Sequence, residues 1–135
     1  MPDAPPINGL VAMIHVADVE RSAAFYRLLG FEIGNQVPRT GRPHWAWLYA
    51  PGALDWRRGP NLMLTRSGRP LRPEAQDVLF YLYASDLVAL REKLLLDGVK
   101  AGEIEYPEYL PRGELALQDP DGYCLMIAQS SDDTP

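Results

Sequence analysis

The sequence is poor in cysteine and has neither a long hydrophobic run nor a recognisable targeting segment. Cys124 is the only cysteine among the 135 residues, so the chain cannot form an internal disulfide, which agrees with a reducing compartment. No apolar run approaches the roughly 20 residues that span a bilayer, and the N-terminal segment lacks the basic region and apolar core of a signal peptide. We therefore expect a cytoplasmic protein with no membrane partner.

An excess of basic residues is also absent. The chain has 13 basic and 18 acidic residues, with a formal net charge of -5. This balance argues against nucleic acid as a partner, because phosphate binding depends on basic residues, and it mildly favours neutral or cationic partners. The hydrophobic fraction of 47% and the charged fraction of 23% are typical of a globular protein. Together with the length, they predict a single domain over residues 1–135.

Proline and glycine, by contrast, are frequent, with 13 and 11 residues respectively. Helices long enough for a bundle hardly fit between them, so the pattern predicts short strands, turns and few helices. Two helices are predicted, over residues 19–29 and 87–97. Each stretch has an Asp before it as N-cap and a Gly near its end as C-cap. About half the chain separates the two predicted N-caps, Asp18 and Asp86, which indicates an internal repeat.

Apolar and β-favouring residues predict four strands in each half. They cover residues 10–16, 31–37, 44–50 and 61–65, and then residues 78–84, 102–106, 113–118 and 123–129. Strand 10–16 is apolar at nearly every position, so it is predicted to be buried on both faces. The fold class is thus α+β, with two βαβββ modules over about 8–65 and 78–129, a linker over 66–77 and a C-terminal tail over 130–135. Because each module alone buries little surface, the two are predicted to pack as one domain with a pseudo-twofold axis.

Two stretches of sequence carry a family resemblance. They are VADVERSAAFYRLLGF over residues 16–31 and DPDGYCLMIAQ over residues 119–129. Together with the duplicated order of elements, they resemble the vicinal oxygen chelate superfamily, which contains glyoxalase I, extradiol dioxygenases, fosfomycin-resistance proteins and bleomycin-resistance proteins. The chain is most similar to the bleomycin-resistance-like branch. The resemblance implies that each module forms a curled sheet, that the two sheets surround a cleft, and that the protein is a homodimer whose partner completes the cleft.

The resemblance also implies where a metal ion would bind. Metal-dependent members hold the ion with His and Glu side chains on four strands, and these positions fall here on Val11, Met63, Leu79 and Met126. Valine and leucine cannot coordinate a cation, and a thioether is a soft ligand that does not suit the metals of this superfamily. We therefore expect no metal and no cofactor. The alternative is a metal-dependent enzyme with displaced ligands such as His15 and Glu114, or a set of His15, His44 and one acidic residue.

Alternation along the strands predicts a cleft lined by aromatic, thioether and aliphatic side chains, which is typical of a site for an organic ligand. The candidate ligand-binding residues are His15, Trp45, Trp47, Trp56, Tyr81, Tyr83, Tyr109, Glu114 and Met126.

Several of these residues have structural alternatives. Trp45 and Trp47 can form a ligand platform, part of the core or a dimer contact, and His15 can be a pocket group or a strand-end residue bonded to a backbone carbonyl. Glu114 is expected to pair with Arg112, with a tyrosine hydroxyl or with a cationic ligand, because a buried unpaired carboxylate is costly. Tyr109 can form a rim of the cleft or simply pack its loop. Cys124 is expected to be a buried, inert thiol.

These features favour a metal-free protein that binds and sequesters an aromatic or cationic small molecule, as bleomycin-resistance proteins do in antibiotic resistance. One alternative is a metal-dependent enzyme, either a glyoxalase I-like lyase or a dioxygenase type. Another is a member of the fold that acts as a sensory or interaction module. The sequence leaves open whether the protein is an enzyme.

Overall fold

The computed structural model describes residues 6–131 and shows a strand, a helix and further strands in each half of the chain. The elements are β1 Met13–Val16, α1 Val19–Leu28, β2 Glu32–Val37, β3 Trp45–Tyr49, β4 Asn61–Arg66, β5 Leu79–Ala84, α2 Leu87–Leu96, β6 Glu114–Gln118 and β7 Cys124–Gln129, with a 3-10 helix at Pro73–Ala75. The chain divides into two compact units between Leu71 and Arg72. The predicted tail lies outside the described residues from position 132 onward. This α+β arrangement of two modules is the predicted fold class, whereas the packing of the modules as one domain stays a prediction.

The first unit is a four-stranded sheet covered on one face by α1. The strand order is β1-β4-β3-β2, with β1 parallel to β4 and the other pairs antiparallel. Alternate residues of the strands point to α1, and they form the core of this unit with the helix residues. The buried apolar side chains are Ile14, Val16, Val19, Ala23, Tyr26, Phe31, Ala46, Leu48, Leu62 and Leu64.

The second unit repeats this plan with three strands. The order is β5-β7-β6, with β5 parallel to β7 and β6 antiparallel to it. Helix α2 contacts β7, and the buried apolar side chains of this unit include Leu87, Leu94, Leu115, Leu117, Leu125 and Ile127. No helix in the described part of the chain is long and apolar enough to cross a bilayer.

The predicted strand over 102–106 is wrong apart from one residue pair. Glu105 and Glu114 form an isolated bridge, with both backbone N–H···O distances at 2.8 Å. On one side of this bridge the Gly102 N–H also donates a hydrogen bond to the Ala116 carbonyl oxygen at 3.0 Å. On the other side Pro107 has no N–H to donate. The segment therefore touches the edge of β6 without extending the sheet.

The prediction that strand 10–16 is buried on both faces is also wrong. β1 begins at Met13, and burial alternates along it, because α1 covers only one face of the sheet. Ile14 and Val16 are buried, whereas Met13 is 51% exposed and Leu10, before the strand, is 91% exposed. An apolar residue in this segment therefore does not imply a second layer over that face.

Both predicted helix N-caps are confirmed. A carboxylate oxygen of Asp18 accepts a hydrogen bond from the Arg21 N–H at 3.2 Å, and Asp86 accepts one from the Ala89 N–H at 3.0 Å. Each helix ends two residues before the predicted glycine. Gly30 and Gly98 have φ angles of 96° and 82°, the left-handed conformation that glycine adopts without strain.

The N-cap of α1 predicts a measurable contribution to stability. Asp18→Ala is expected to lower the free energy of unfolding by about 1 kcal/mol, because the first turn loses its hydrogen-bond acceptor. The Arg21 N–H holds the pKa of Asp18 below its ordinary 3.8, with help from Arg42 at 2.9 Å. The ionised cap therefore stabilises the fold above that value and loses this effect as the pH falls through the lowered pKa.

Urea unfolding of wild type, Asp18→Ala and Asp18→Asn at neutral pH measures this contribution, and Asp18→Asn is the matched control because it keeps an oxygen acceptor. Repeating the unfolding down to about pH 3 is expected to reduce the difference in the free energy of unfolding between wild type and Asp18→Ala. A difference that is absent at neutral pH, or that grows on acidification, would contradict the assignment of the cap.

Candidate functional site

The face of the first sheet that points away from α1 is called the front face of the first sheet, and it carries the candidates His15, Trp45 and Trp47. Cross-strand register places side chains of the four strands side by side in rows. One row is Met13, Met63, Trp47 and Asn35, and the next is His15, Thr65, Trp45 and Val37. His15 and Trp45 thus belong to one row, with His15 exposed and Trp45 half-buried.

Trp47 is held in a defined position on this face. Its ring stacks on that of Tyr49, with 5.3 Å between the ring centres and 14° between the planes. Both rings lie against Gly34 of β2, where a Cβ would be 2.5 Å from the Trp47 ring and 2.9 Å from the Tyr49 ring. The indole N–H of Trp47 donates to the Asn61 Oδ1 at 3.0 Å. The ring therefore has contacts on the sheet and a hydrogen bond that sets its orientation.

Trp56 lies in the loop between β3 and β4 and is 42% exposed. Its ring packs on Gly9, where a Cβ would lie 2.2 Å from the ring, and the Arg57 guanidinium carbon is 4.6 Å from the ring centre. The backbone carbonyl of Trp56 accepts a hydrogen bond from the Asn61 Nδ2 at 3.1 Å. The ring therefore contacts Gly9 and Arg57.

Asn61 and Gly34 contact the Trp47 ring but are not among the candidate residues predicted from the sequence. The alternation of β4 puts Asn61 on the same face as Met63, so its orientation was accessible from the sequence. Its bond to Trp47 was not, because that bond depends on the register between β3 and β4. The role of Gly34 depends in the same way on the register between β2 and β3, which is interrupted at this residue by an irregularity.

The front face of the second sheet, on the side away from α2, carries the candidates Tyr81, Tyr83, Glu114 and Met126. Its three rows are Leu79, Cys124 and Gln118; Tyr81, Met126 and Ala116; and Tyr83, Ala128 and Glu114. The rings of Tyr81 and Tyr83 are 6.4 Å apart and inclined by 28°. Both are close to half exposed, so this face presents aromatic surface.

Glu114 is the most distinctive group on this face. It is only 3% exposed, and its two carboxylate oxygens accept hydrogen bonds from tyrosine hydroxyls, Tyr81 at 3.1 Å and Tyr109 at 2.7 Å. Of the alternatives predicted for Glu114, the structure shows the tyrosine pairing. The carboxylate is therefore buried against two neutral donors, an arrangement that satisfies its hydrogen bonding without neutralising its formal charge.

The two phenols respond to this carboxylate. The hydrogen bond to Glu114 is the main cause that raises the pKa of Tyr109 to about 12. Partial desolvation, followed by the bond to Glu114, raises the pKa of Tyr81 above its ordinary value of 10. Both hydroxyls thus remain protonated donors at neutral pH, and Tyr109 connects the loop after Pro107 to the sheet although the side chain is largely exposed.

The positions implied for a metal ion carry no donor cluster. Met63, Leu79 and Met126 belong to the front faces of their sheets, and Val11 precedes β1. Among residues 6–131 no three His, Cys, Asp or Glu side chains come together in a way that could hold a metal ion. The alternative ligand sets built on His15, His44 and Glu114 therefore have no geometric support from the described residues.

Cys124 is more exposed than the sequence predicts. It is half-buried and lines a cavity of about 490 Å³ at the edge of β6, together with Lys100, Gln118 and Asp119. Lys100 is distant from Cys124 in the sequence but lines the same cavity. Tyr106, the other tyrosine of this region, packs on Gly113, where a Cβ would lie 3.1 Å from its ring.

Comparison with known proteins supports the resemblance. Residues 12–40 match the family described as bleomycin resistance protein-like, N-terminal. A bleomycin-binding protein solved in complex with bleomycin is 22% identical, with a TM-score of 0.70 over 93% of this chain and 100% of that one. The bleomycin resistance determinant of transposon Tn5 is 21% identical, with a TM-score of 0.70 over 93% and 99%.

TnmS3, an antibiotic-binding protein from Streptomyces sp. CB03234, is 21% identical, with a TM-score of 0.69 over 95% of this chain and 100% of its own. A comparison with curated proteins finds no match. At these identities the solved structures establish the fold. Residues 12–40 thus match the bleomycin-resistance-like N-terminal family, and the chain has the fold of the bleomycin-binding proteins.

Proposed function

We propose that this protein binds and sequesters an aromatic or cationic organic compound without chemical conversion. The observation that carries the proposal is the buried carboxylate of Glu114, which lies beside the exposed rings of Tyr81 and Tyr83 and is paired only with tyrosine hydroxyls among the described residues. A cationic group can displace or join these neutral donors and interact favourably with the carboxylate. Three proteins with this fold are described as binding bleomycin or another antibiotic, which supports the same class of ligand.

The distribution of charge supports a cationic group at the second unit. Residues 72–135 contain 13 of the 18 acidic residues but only 5 of the 13 basic ones, whereas residues 1–71 contain 8 basic and 5 acidic residues. The net charge of -5 is therefore the sum of a net positive first unit and a strongly negative second unit. An acidic unit raises the local concentration of cations and speeds their encounter with Glu114.

The exposed rings support an aromatic part of the ligand. Stacking on a tryptophan or tyrosine face is favourable for any planar ring, and a cation over such a face gains further attraction. The proposed binding residues are His15, Trp45, Trp47 and Trp56 in the first unit, and Tyr81, Tyr83, Tyr109, Glu114 and Met126 in the second.

The proposal includes a homodimer in the cytoplasm. Each sheet is covered by a helix on one face, and its front face presents apolar or aromatic surface, with Met13 and Tyr83 about half exposed. A second copy of the chain would cover such surface, and the strand Trp45–Tyr49 is the proposed contact.

Binding of bleomycin tests the proposed ligand class. Isothermal titration of the protein with metal-free bleomycin is expected to give one binding event per chain, and Glu114→Gln is expected to weaken it by about tenfold or more, a loss of about 1.4 kcal/mol. Glu105→Gln is the matched control, because its carboxylate is exposed and only its backbone bonds to Glu114.

Two results would overturn the proposal. One is an unchanged affinity in Glu114→Gln or the absence of binding. The other is near-stoichiometric metal in the purified protein, measured by elemental analysis, together with turnover of a glyoxalase-type substrate, which would favour the enzyme.

The tyrosine pairing predicts an abnormal alkaline titration. Absorbance at 295 nm is expected to show one tyrosine that ionises near pH 12, assigned to Tyr109 by its loss in Tyr109→Phe. In Glu114→Gln the same group is expected to ionise near its ordinary pKa of 10. The raised pKa means that the Tyr109 pairing stabilises the fold below about pH 10 and loses this effect as the pH rises toward 12. An ordinary titration of all tyrosines would contradict the pairing.

The homodimer predicts a defined sedimentation behaviour. Sedimentation velocity is expected to give twice the monomer mass for wild type, and Trp45→Glu is expected to give monomers because the charge lies at the proposed contact. Leu96→Glu is the control, since Leu96 is 88% exposed on α2. Circular dichroism establishes that Trp45→Glu is folded. A monomeric wild type, or a dimeric folded Trp45→Glu, would contradict this contact.

A further inference from the structure

A single amide side chain joins the two aromatic groups of the first unit. The Asn61 Oδ1 accepts the indole N–H of Trp47 at 3.0 Å. Its Nδ2 donates to the backbone carbonyl of Trp56 at 3.1 Å and to that of Gly59 at 2.9 Å. The side-chain oxygen of Asn61 therefore holds the Trp47 ring on the sheet, and its side-chain nitrogen holds the loop that carries Trp56.

The loop between β3 and β4 is bonded mainly to itself. The Leu54 N–H donates to the Arg58 carbonyl at 3.0 Å, and the Asp55 carboxylate accepts from the Arg57 N–H at 2.8 Å and from the Arg58 guanidinium at 3.2 Å. Gly59, with a φ of 104°, lies so close to Ala53 that a Cβ would be 2.5 Å from the Ala53 Cα. A loop built this way moves as one body, and its position on the sheet depends on the few groups at its base.

Asn61 is one of those few groups. The others are the Ala50 N–H, which donates to the Pro60 carbonyl at 3.0 Å, and the contact of the Trp56 ring with Gly9. Asn61 differs from both because it also contacts the ring of Trp47. A rotation of that ring changes the hydrogen bond to Oδ1, and the planar amide transmits the change to the two carbonyls on its nitrogen side.

We infer that Asn61 is a positioning residue that couples the orientation of the Trp47 ring to the position of the loop that carries Trp56. An aromatic guest that stacks on Trp47 would then also change the environment of Trp56, although the two rings are on different elements. The coupling itself is a property of the chain, and only its response to a guest rests on the proposed function.

The indole N–H signals of the three tryptophans test the coupling directly. In a nitrogen–proton correlation spectrum of the full protein, Trp47→Phe and Trp56→Phe identify the signals of these two residues. Trp47→Phe removes the bond to Asn61 and is expected to shift the Trp56 signal. Asn61→Ala is expected to shift the Trp56 signal as well, and to speed hydrogen exchange of the Trp47 indole by about tenfold or more.

Asn61→Asp separates the two sides of the amide. It keeps the acceptor for Trp47 but replaces the donor to the loop, so the Trp47 indole is expected to stay protected while the Trp56 signal shifts. Asn35→Ala is the matched control, because Asn35 neighbours Trp47 on β2 while its Oδ1 accepts a hydrogen bond from the Gln36 N–H at 2.9 Å. It is expected to leave the Trp56 signal unchanged.

The result that would overturn the inference is a Trp56 signal that does not change in Trp47→Phe and Asn61→Ala, or that changes as much in Asn35→Ala. Metal-free bleomycin then tests the response to a guest. It is expected to shift both signals in wild type and only the Trp47 signal in Asn61→Ala. Absence of any shift with bleomycin, while Trp47→Phe still moves Trp56, would reject the proposed function and leave the coupling established.

Discussion

The structure depends on one constraint, which is that each sheet has a helix on only one of its faces. Alternate residues of every strand must be apolar to pack on that helix, and the residues between them are free of this requirement. In the first sheet the helix side takes Ile14, Leu48 and Leu64, which are buried. The other side takes tryptophan, histidine, methionine and asparagine in cross-strand rows. Most of the candidate binding residues therefore lie on the two faces that do not pack on a helix.

The same constraint explains which features were predictable. The helices and their caps follow from local signals, because Asp18 and Asp86 bond to backbone groups three residues away. Strand positions follow from alternation within one segment. The prediction for strand 10–16 was wrong because two of its apolar residues are not core residues. Leu10 lies before β1, and Met13 lies on the face that α1 does not cover. The segment over 102–106 contains strand-forming residues, but its bridge to β6 is confined to Glu105, and Pro107 has no N–H to continue the pairing.

The faces on which candidate residues lie were predictable in part, and the contacts of these residues less so. Alternation placed Glu114 and Tyr81 on the side of the cleft and left the role of Trp47 open, and a tyrosine partner for Glu114 was among the possibilities. The particular tyrosines depend on a loop conformation that brings Tyr109 back to β6. Asn61 and Gly34 were missed because their significance arises only when β3 is paired with β4 and β2. Pairwise contacts across a sheet are set by register, and register is a property of two segments together.

The contact between Gly34 and Trp47 also constrains how this sequence can change over time. A methyl group at position 34 and an indole at position 47 would need the same space, since a Cβ would lie 2.5 Å from the ring. A side chain at position 34 is therefore acceptable only with a smaller residue at position 47, whereas glycine at position 34 tolerates any residue there. A lineage that acquires a side chain at position 34 must first lose the large ring at position 47. The absence of a side chain at one residue thus restricts the order in which mutations can remodel this face.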